Sequence, residues 1–151
     1  MFDEKASRKF VTENYGTFCA SINNDDKRRI ARIKNRPRST QIPMDFETIQ
    51  ALNQYWELIP PAPEDFWLFR GGPMHPKYRP YIPSSFVKET AMNFAQGHPL
   101  RCHAILVHKG ARVLPMYLVA VDWMGNCCDG EDEVLLKVDC LHWKLTYYEY
   151  W

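Results

Sequence analysis

The order of patterns along this 151-residue chain predicts an α+β fold: stretches with helical spacing fill the part before residue 60, and strand-like runs dominate after it. A hydrophobic content of 46% and an aromatic content of 14% exclude a mainly disordered chain. The length suits one domain with a real core, so a single unit over 1–151 is expected, mainly helical over 1–60 and mainly β over 61–151.

Residues 3–22 set Phe10, Tyr15, Phe18, Cys19 and Ile22 near helical spacing. Asn23-Asn24-Asp25-Asp26 breaks that pattern and suits a cap for the segment after it. Segment 27–38 then gathers Lys27, Arg28, Arg29, Arg32, Lys34, Arg36 and Arg38, with Ile30 and Ile33 as an apolar edge, and Pro37 ends it. Asp45 is an N-cap for a helix carrying Phe46, Ile49, Leu52, Tyr55, Trp56 and Ile59 on one face, stopped by Pro60-Pro61-Ala62-Pro63. Phe66-Trp67-Leu68-Phe69-Arg70 reads as a strand that Gly71-Gly72-Pro73 terminates. Four prolines make 73–83 an ordered loop, and Ser85 suits the N-cap of a helix over 86–95 that Gly97 closes. Runs at 104–107 and 113–121 are strands, the second confined by Pro115 to an edge, a start or a bulge. Residues 124–130 form a loop and 133–138 a strand. In the last strand Leu141, Trp143, Leu145 and Tyr147 alternate with polar neighbours.

A net charge of +1 gives no overall nucleic-acid footprint, so only segment 27–38 offers one, as an anchor for nucleic acid or an acidic partner or simply as a solvated helix face. The charged start Met1-Phe2-Asp3-Glu4-Lys5 predicts no signal peptide, and no apolar run approaches the ~20 residues of a membrane span. Five cysteines in an irregular set point to a reducing cytoplasmic compartment. Cys102-His103 and Cys127-Cys128 lack the two-residue gap of zinc sites, so no metal is expected. His75, His98, His103, His108 and His142 form no ligand or catalytic spacing. There is no Gly-x-Gly-x-x-Gly for a dinucleotide cofactor of the hydride-transfer kind.

The stretch Gly130-Glu131-Asp132-Glu133-Val134-Leu135-Leu136 sets acid directly before a buried-strand pattern, with Glu131 and Glu133 on one face. Upstream lie Phe69-Arg70-Gly71 at a strand end and Ser84-Ser85 running into Phe86-Val87-Lys88-Glu89-Thr90-Ala91. In this order the motifs resemble the mono-ADP-ribosyltransferases of the Arg-Ser-Glu class, which includes clostridial binary toxins and phage enzymes that modify host proteins. The resemblance spans residues 45–138. It implies a split two-sheet β core with the N-terminal helices packed on it, NAD as a consumed co-substrate, and a host or other target protein as acceptor.

Carried over residue by residue, Glu133 would bond the ribose and stabilise the positive charge that develops when the nicotinamide bond breaks. Glu131 would orient and deprotonate an arginine acceptor. Arg70 would hold the phosphates with its planar donor fork, and the backbone of Gly71 would meet the nicotinamide amide. The family's Ser-Thr-Ser is Pro83-Ser84-Ser85 here, so the positioning role falls to Ser84 or Ser85, with Ser85 favoured. Trp123 and Met124, in the loop leading to Glu131, are expected to recognise the acceptor. Two alternatives stand beside arginine-specific transfer. One is an NAD glycohydrolase, which needs Glu133 but not Glu131; the other is a non-catalytic binding module built on segment 27–38.

Overall fold

The computed structural model describes residues 3–31, 46–72, 80–94, 102–119, 133–138 and 145–149. They form a mixed α+β fold. Three helices come first: α1 (Glu4–Ser21), α2 (Asn24–Ala31) and α3 (Phe46–Trp56). Strands β1 (Phe66–Gly71) and β2 (Tyr81–Ser85) follow, then α4 (Lys88–Phe94), β3 (Cys102–Val107), β4 (Leu114–Pro115), α5 (Met116–Val119), β5 (Glu133–Lys137) and β6 (Leu145–Glu149). Among the described residues the strands make one antiparallel sheet in the order β4-β5-β2-β1-β3-β6, and not the split pair of sheets that the resemblance implies.

The helices form for local reasons and stay because one face of each is buried. Asp3 caps α1, its Oδ1 accepting from the Ala6 N–H at 3.0 Å, and Val11, Tyr15 and Cys19 recur every fourth residue on the buried face. Asn23 caps α2 in the same way, with Oδ1 accepting from the Asp26 N–H at 2.8 Å. On α3 the buried positions are Thr48, Ala51, Leu52 and Trp56. Phe46, expected on that face, is 72% exposed, because the stripe through 48, 52 and 56 turns the first residue outward. Asp45, the expected cap, lies outside the described residues.

Asp26 ties α2 to α3. Its carboxylate accepts from the Tyr55 hydroxyl, from Asn23 Nδ2 at 2.8 Å and from Arg29 Nη1 at 2.7 Å. The Tyr55 bond first, then those of Asn23 and Arg29, hold the carboxyl below its usual range against the opposing effect of burial. A lowered pKa contributes stability above the unfolded value of about 3.9 that is lost as pH falls through the folded value. Tyr55→Phe should therefore cost about 1.5–3 kcal/mol at pH 7. In urea unfolding the variant should lose stability less steeply than wild type as the pH is taken below about 4. Equal slopes would remove Asp26 from the acid response.

The main core joins these helices to both halves of the sheet, with Leu52 and Trp56 packed in one cluster with Phe66, Leu68, Ile105, Val107, Val134, Leu135 and Leu136. A smaller cluster on the other side of β1 and β3 holds Phe69, Ala91, Cys102 and Ala104, with Trp67 against it. That cluster seats α4.

Three expectations are corrected. The proline-rich stretch expected to be loop through residue 83 contains β2, with Pro83 opposite Leu135. Val138 N–H donates to the Pro80 carbonyl at 2.8 Å, so the even positions of β2 address β5 and Pro83 addresses β1. The ladder between β1 and β2 consists of the single pair Phe69↔Ser85, so the N–H that proline lacks is not required. Next, the helix expected over 86–95 begins at Lys88. Phe86 is drawn into the core instead, 6.1 Å from the Tyr117 ring, and Glu4 Oε1 accepts from the Lys88 N–H at 3.2 Å.

The third correction concerns the strand expected over 113–121. It stops at Pro115, and α5 follows. Tyr117 carries the reason: its hydroxyl lies 2.8 Å from Thr12 Oγ1 on α1, and the Arg8 guanidinium sits 4.8 Å above its ring. As expected from Pro115, β4 is an edge strand. Among the described residues no helix is long and apolar enough to cross a membrane.

Candidate functional site

The strands that carry Arg70, Ser84 and Ser85, and Glu133, which are β1, β2 and β5, lie side by side in the sheet. Chain order alone does not bring them there; the crossing of β2 between β1 and β5 does. Ser85 pairs with Phe69 on one side and with Glu133 on the other. Directly opposite residues in an antiparallel ladder lie about 4.5–5.5 Å apart at Cα and share a face, so Ser85 and Glu133 are neighbours on the sheet. Ser85 is buried, whereas Glu133, at the first position of β5, is only half-buried.

The two serines do different work. Ser84 Oγ donates to the Val134 carbonyl at 2.7 Å, which pins β5 one residue from Glu133. Ser85 Oγ accepts from the Val87 N–H at 3.0 Å, shaping the turn into α4. Ser85 is thus not the N-cap of that helix but the anchor of the turn before it.

Arg70 occupies the joint itself. Alternation along β1 sends its side chain to the side away from Phe69, and so away from the Ser85–Glu133 row. The guanidinium turns toward β2, where Nη1 donates to the Pro83 carbonyl at 2.7 Å. That carbonyl faces β1 at a level where the ladder provides no backbone donor, so the arginine takes the place of one. Arg70 and Glu133 therefore lie two strands apart with their side chains leaving opposite faces of the sheet, which counts against one shared site. Beyond Arg70, Gly71 ends the strand opposite Cys102. Gly72 turns the chain at φ 116°, a conformation that favours glycine, and a side chain there would lie 3.6 Å from Arg70 Nη2.

His103 is the residue that reading the sequence missed. It is the register partner of Arg70 on β3, and both are buried. No spacing signal marks it, because the pairing depends on a strand that returns after β2 and α4. Glu131, Trp123 and Met124 lie outside the described residues, as do Arg32, Lys34, Arg36 and Arg38 of the basic segment. Within the described part of that segment, Arg28 pairs with Asp25 at 3.7 Å and Arg29 with Asp26 at 2.7 Å. Such pairing leaves less positive charge to offer an acidic partner.

Thiol chemistry finds no support in the two described cysteines. Burial pushes the Cys19 thiol up to about 12 and raises that of Cys102, so neither forms a reactive thiolate. Cys102 and His103 also leave β3 on opposite faces, which separates them as metal ligands. Among the described residues no group of three or more His, Cys, Asp or Glu is placed to hold a metal ion.

Comparison of the chain with protein-family models, with curated proteins and with solved structures gives no match in any of the three.

Proposed function

We propose that the protein is an NAD-dependent mono-ADP-ribosyltransferase that modifies arginine side chains of a target protein. The observation that supports this most is the placement of the serine strand β2 between the strand carrying Arg70 and the strand carrying Glu133. It sets the three strands that carry the motif residues next to one another, although alternation sends the Arg70 side chain to the face opposite Glu133.

NAD supplies a glycosidic bond whose nicotinamide departs as the ribose carbon passes to an arginine nitrogen. In this reading Glu133 stabilises the positive charge that develops at that carbon, a job for a fixed carboxylate at the edge of a low-dielectric core. Ser84 and Ser85 hold the backbone and the neighbouring position that fix Glu133. Arg70, whose Nη1 donates to the Pro83 carbonyl, is the guanidinium this reading assigns to the phosphate oxygens. Glu131 takes the proton that the acceptor loses. The residue types suit such a co-substrate, an arginine for phosphates and a carboxylate for the ribose, and Gly72 keeps a side chain away from Arg70.

Incubation with labelled NAD and a cell lysate should yield a labelled protein band, and NAD should raise the melting temperature of the wild type. Occupancy at a hundred times the dissociation constant corresponds to about 2.7 kcal/mol. Arg70→Lys keeps the charge but loses the planar fork, so most of that shift should disappear. No thermal shift at millimolar NAD together with no labelled band would defeat the proposal.

A further inference from the structure

Helix α4 starts without a cap of its own. The residue before it is Val87, whose side chain has no acceptor for the N–H groups that an α-helix leaves open at its start. Two other residues supply acceptors. Ser85 Oγ accepts from the Val87 N–H at 3.0 Å, and Glu4 Oε1 accepts from the Lys88 N–H at 3.2 Å. Glu4 is the first residue of α1 and stands 84 residues away in sequence. The same helix holds the turn a second time. Phe86, 1% exposed, lies edge-on to the Tyr117 ring, and the Tyr117 hydroxyl is 2.8 Å from Thr12 Oγ1, about two turns further along α1. The turn between β2 and α4 is thus fastened to α1 by a hydrogen bond at Lys88 and by packing at Phe86. At its other end stands Ser85, which pairs with Glu133 across the β2–β5 ladder.

We infer that α1 is a strap over this turn, and that Glu4 is a positioning residue for Ser85 and, through it, for Glu133; the inference rests on the function proposed above. A helix of seven residues depends on such outside contacts, because its own few hydrogen bonds do not repay the cost of its first turn. Glu4 acts through the backbone of the turn and not on the reacting atoms. Its side chain is on the exposed start of α1, with the carboxylate engaged at Lys88.

Amide hydrogen exchange on the full chain, followed residue by residue, tests the strap without ligand. Glu4→Ala should speed exchange at Lys88 about three- to tenfold, the effect of losing one capping bond. Glu4→Gln keeps an acceptor and should stay near wild type. Lys5→Ala, on the same exposed first turn, should leave that exchange unchanged. In the transfer of labelled ADP-ribose, Glu4→Ala should lower kcat about three- to tenfold, with the KM for NAD within about twofold of wild type. Glu4→Gln should recover most of that rate. Lys88 exchange that is the same in Glu4→Ala as in wild type overturns the inference. So does an unchanged kcat, a rise in KM alone, or a Glu4→Gln variant as impaired as Glu4→Ala. If wild type does not turn over NAD, the proposed function fails, and the strap then stands or falls on the exchange at Lys88 alone.

Discussion

Under the proposed function Glu133→Gln should lower the transfer of labelled ADP-ribose by about 10²–10³-fold, the loss expected when one preorganised electrostatic partner of a transition state is removed. The substitution keeps the shape and leaves the strand in place. Val134, Leu135 and Leu136 are buried and carry the packing of β5, while Glu133 contributes a half-buried position at the strand's start. The melting temperature should stay close to wild type, and the NAD-dependent thermal shift should persist, since the proposal gives the phosphates to Arg70. Loss of turnover with retained binding separates a role in the transition state from a role in the ground state. A fall of less than tenfold would remove Glu133 from the chemistry; a parallel collapse of the thermal shift would make it a binding residue only.

Leu68→Ala is expected to carry the largest stability cost, about 2–5 kcal/mol in urea unfolding. Leu68 is fully buried at the centre of β1, opposite Ile105, in the cluster that holds α3 to the sheet. Truncation leaves a cavity among residues that several elements fix in place, so collapse is resisted. Leu58→Ala is the control. That leucine is 65% exposed, and its loss should stay within about 0.5 kcal/mol. Similar costs at both positions would mean that the cluster around Leu68 is not packed as described.

Much of this was legible in the sequence because it depends on local pattern. The spacing of Tyr15, Cys19 and Ile22 marked α1, the aromatic run before Arg70 marked β1, and Pro115 marked an edge strand. Motif order along the chain singled out Arg70, the serine pair and Glu133 as candidates, and the sheet sets their three strands side by side. Other features depend on partners far away in sequence. Pro83 argues against a strand until it is known that its missing N–H faces the joint, which is a fact about β1. Phe86 reads as the first residue of a helix until Tyr117, brought over by α5, claims its ring. His103 carries no signal at all, since its place beside Arg70 is set by the β1–β3 register. The division of work between Ser84 and Ser85 was likewise invisible, being decided by the Val134 carbonyl on one side and the Val87 N–H on the other.

The one-pair joint between β1 and β2 also sets the mechanics of the sheet. Six residue pairs tie β1 to β3 and five tie β2 to β5, so shear along either seam breaks many bridges at once. Along the seam between the halves the sheet supplies the pair Phe69↔Ser85 and the bond from Arg70 to Pro83, while the main core packs across both halves and resists their rotation. The seam is the place where the sheet leans most on side-chain packing and least on its own ladder.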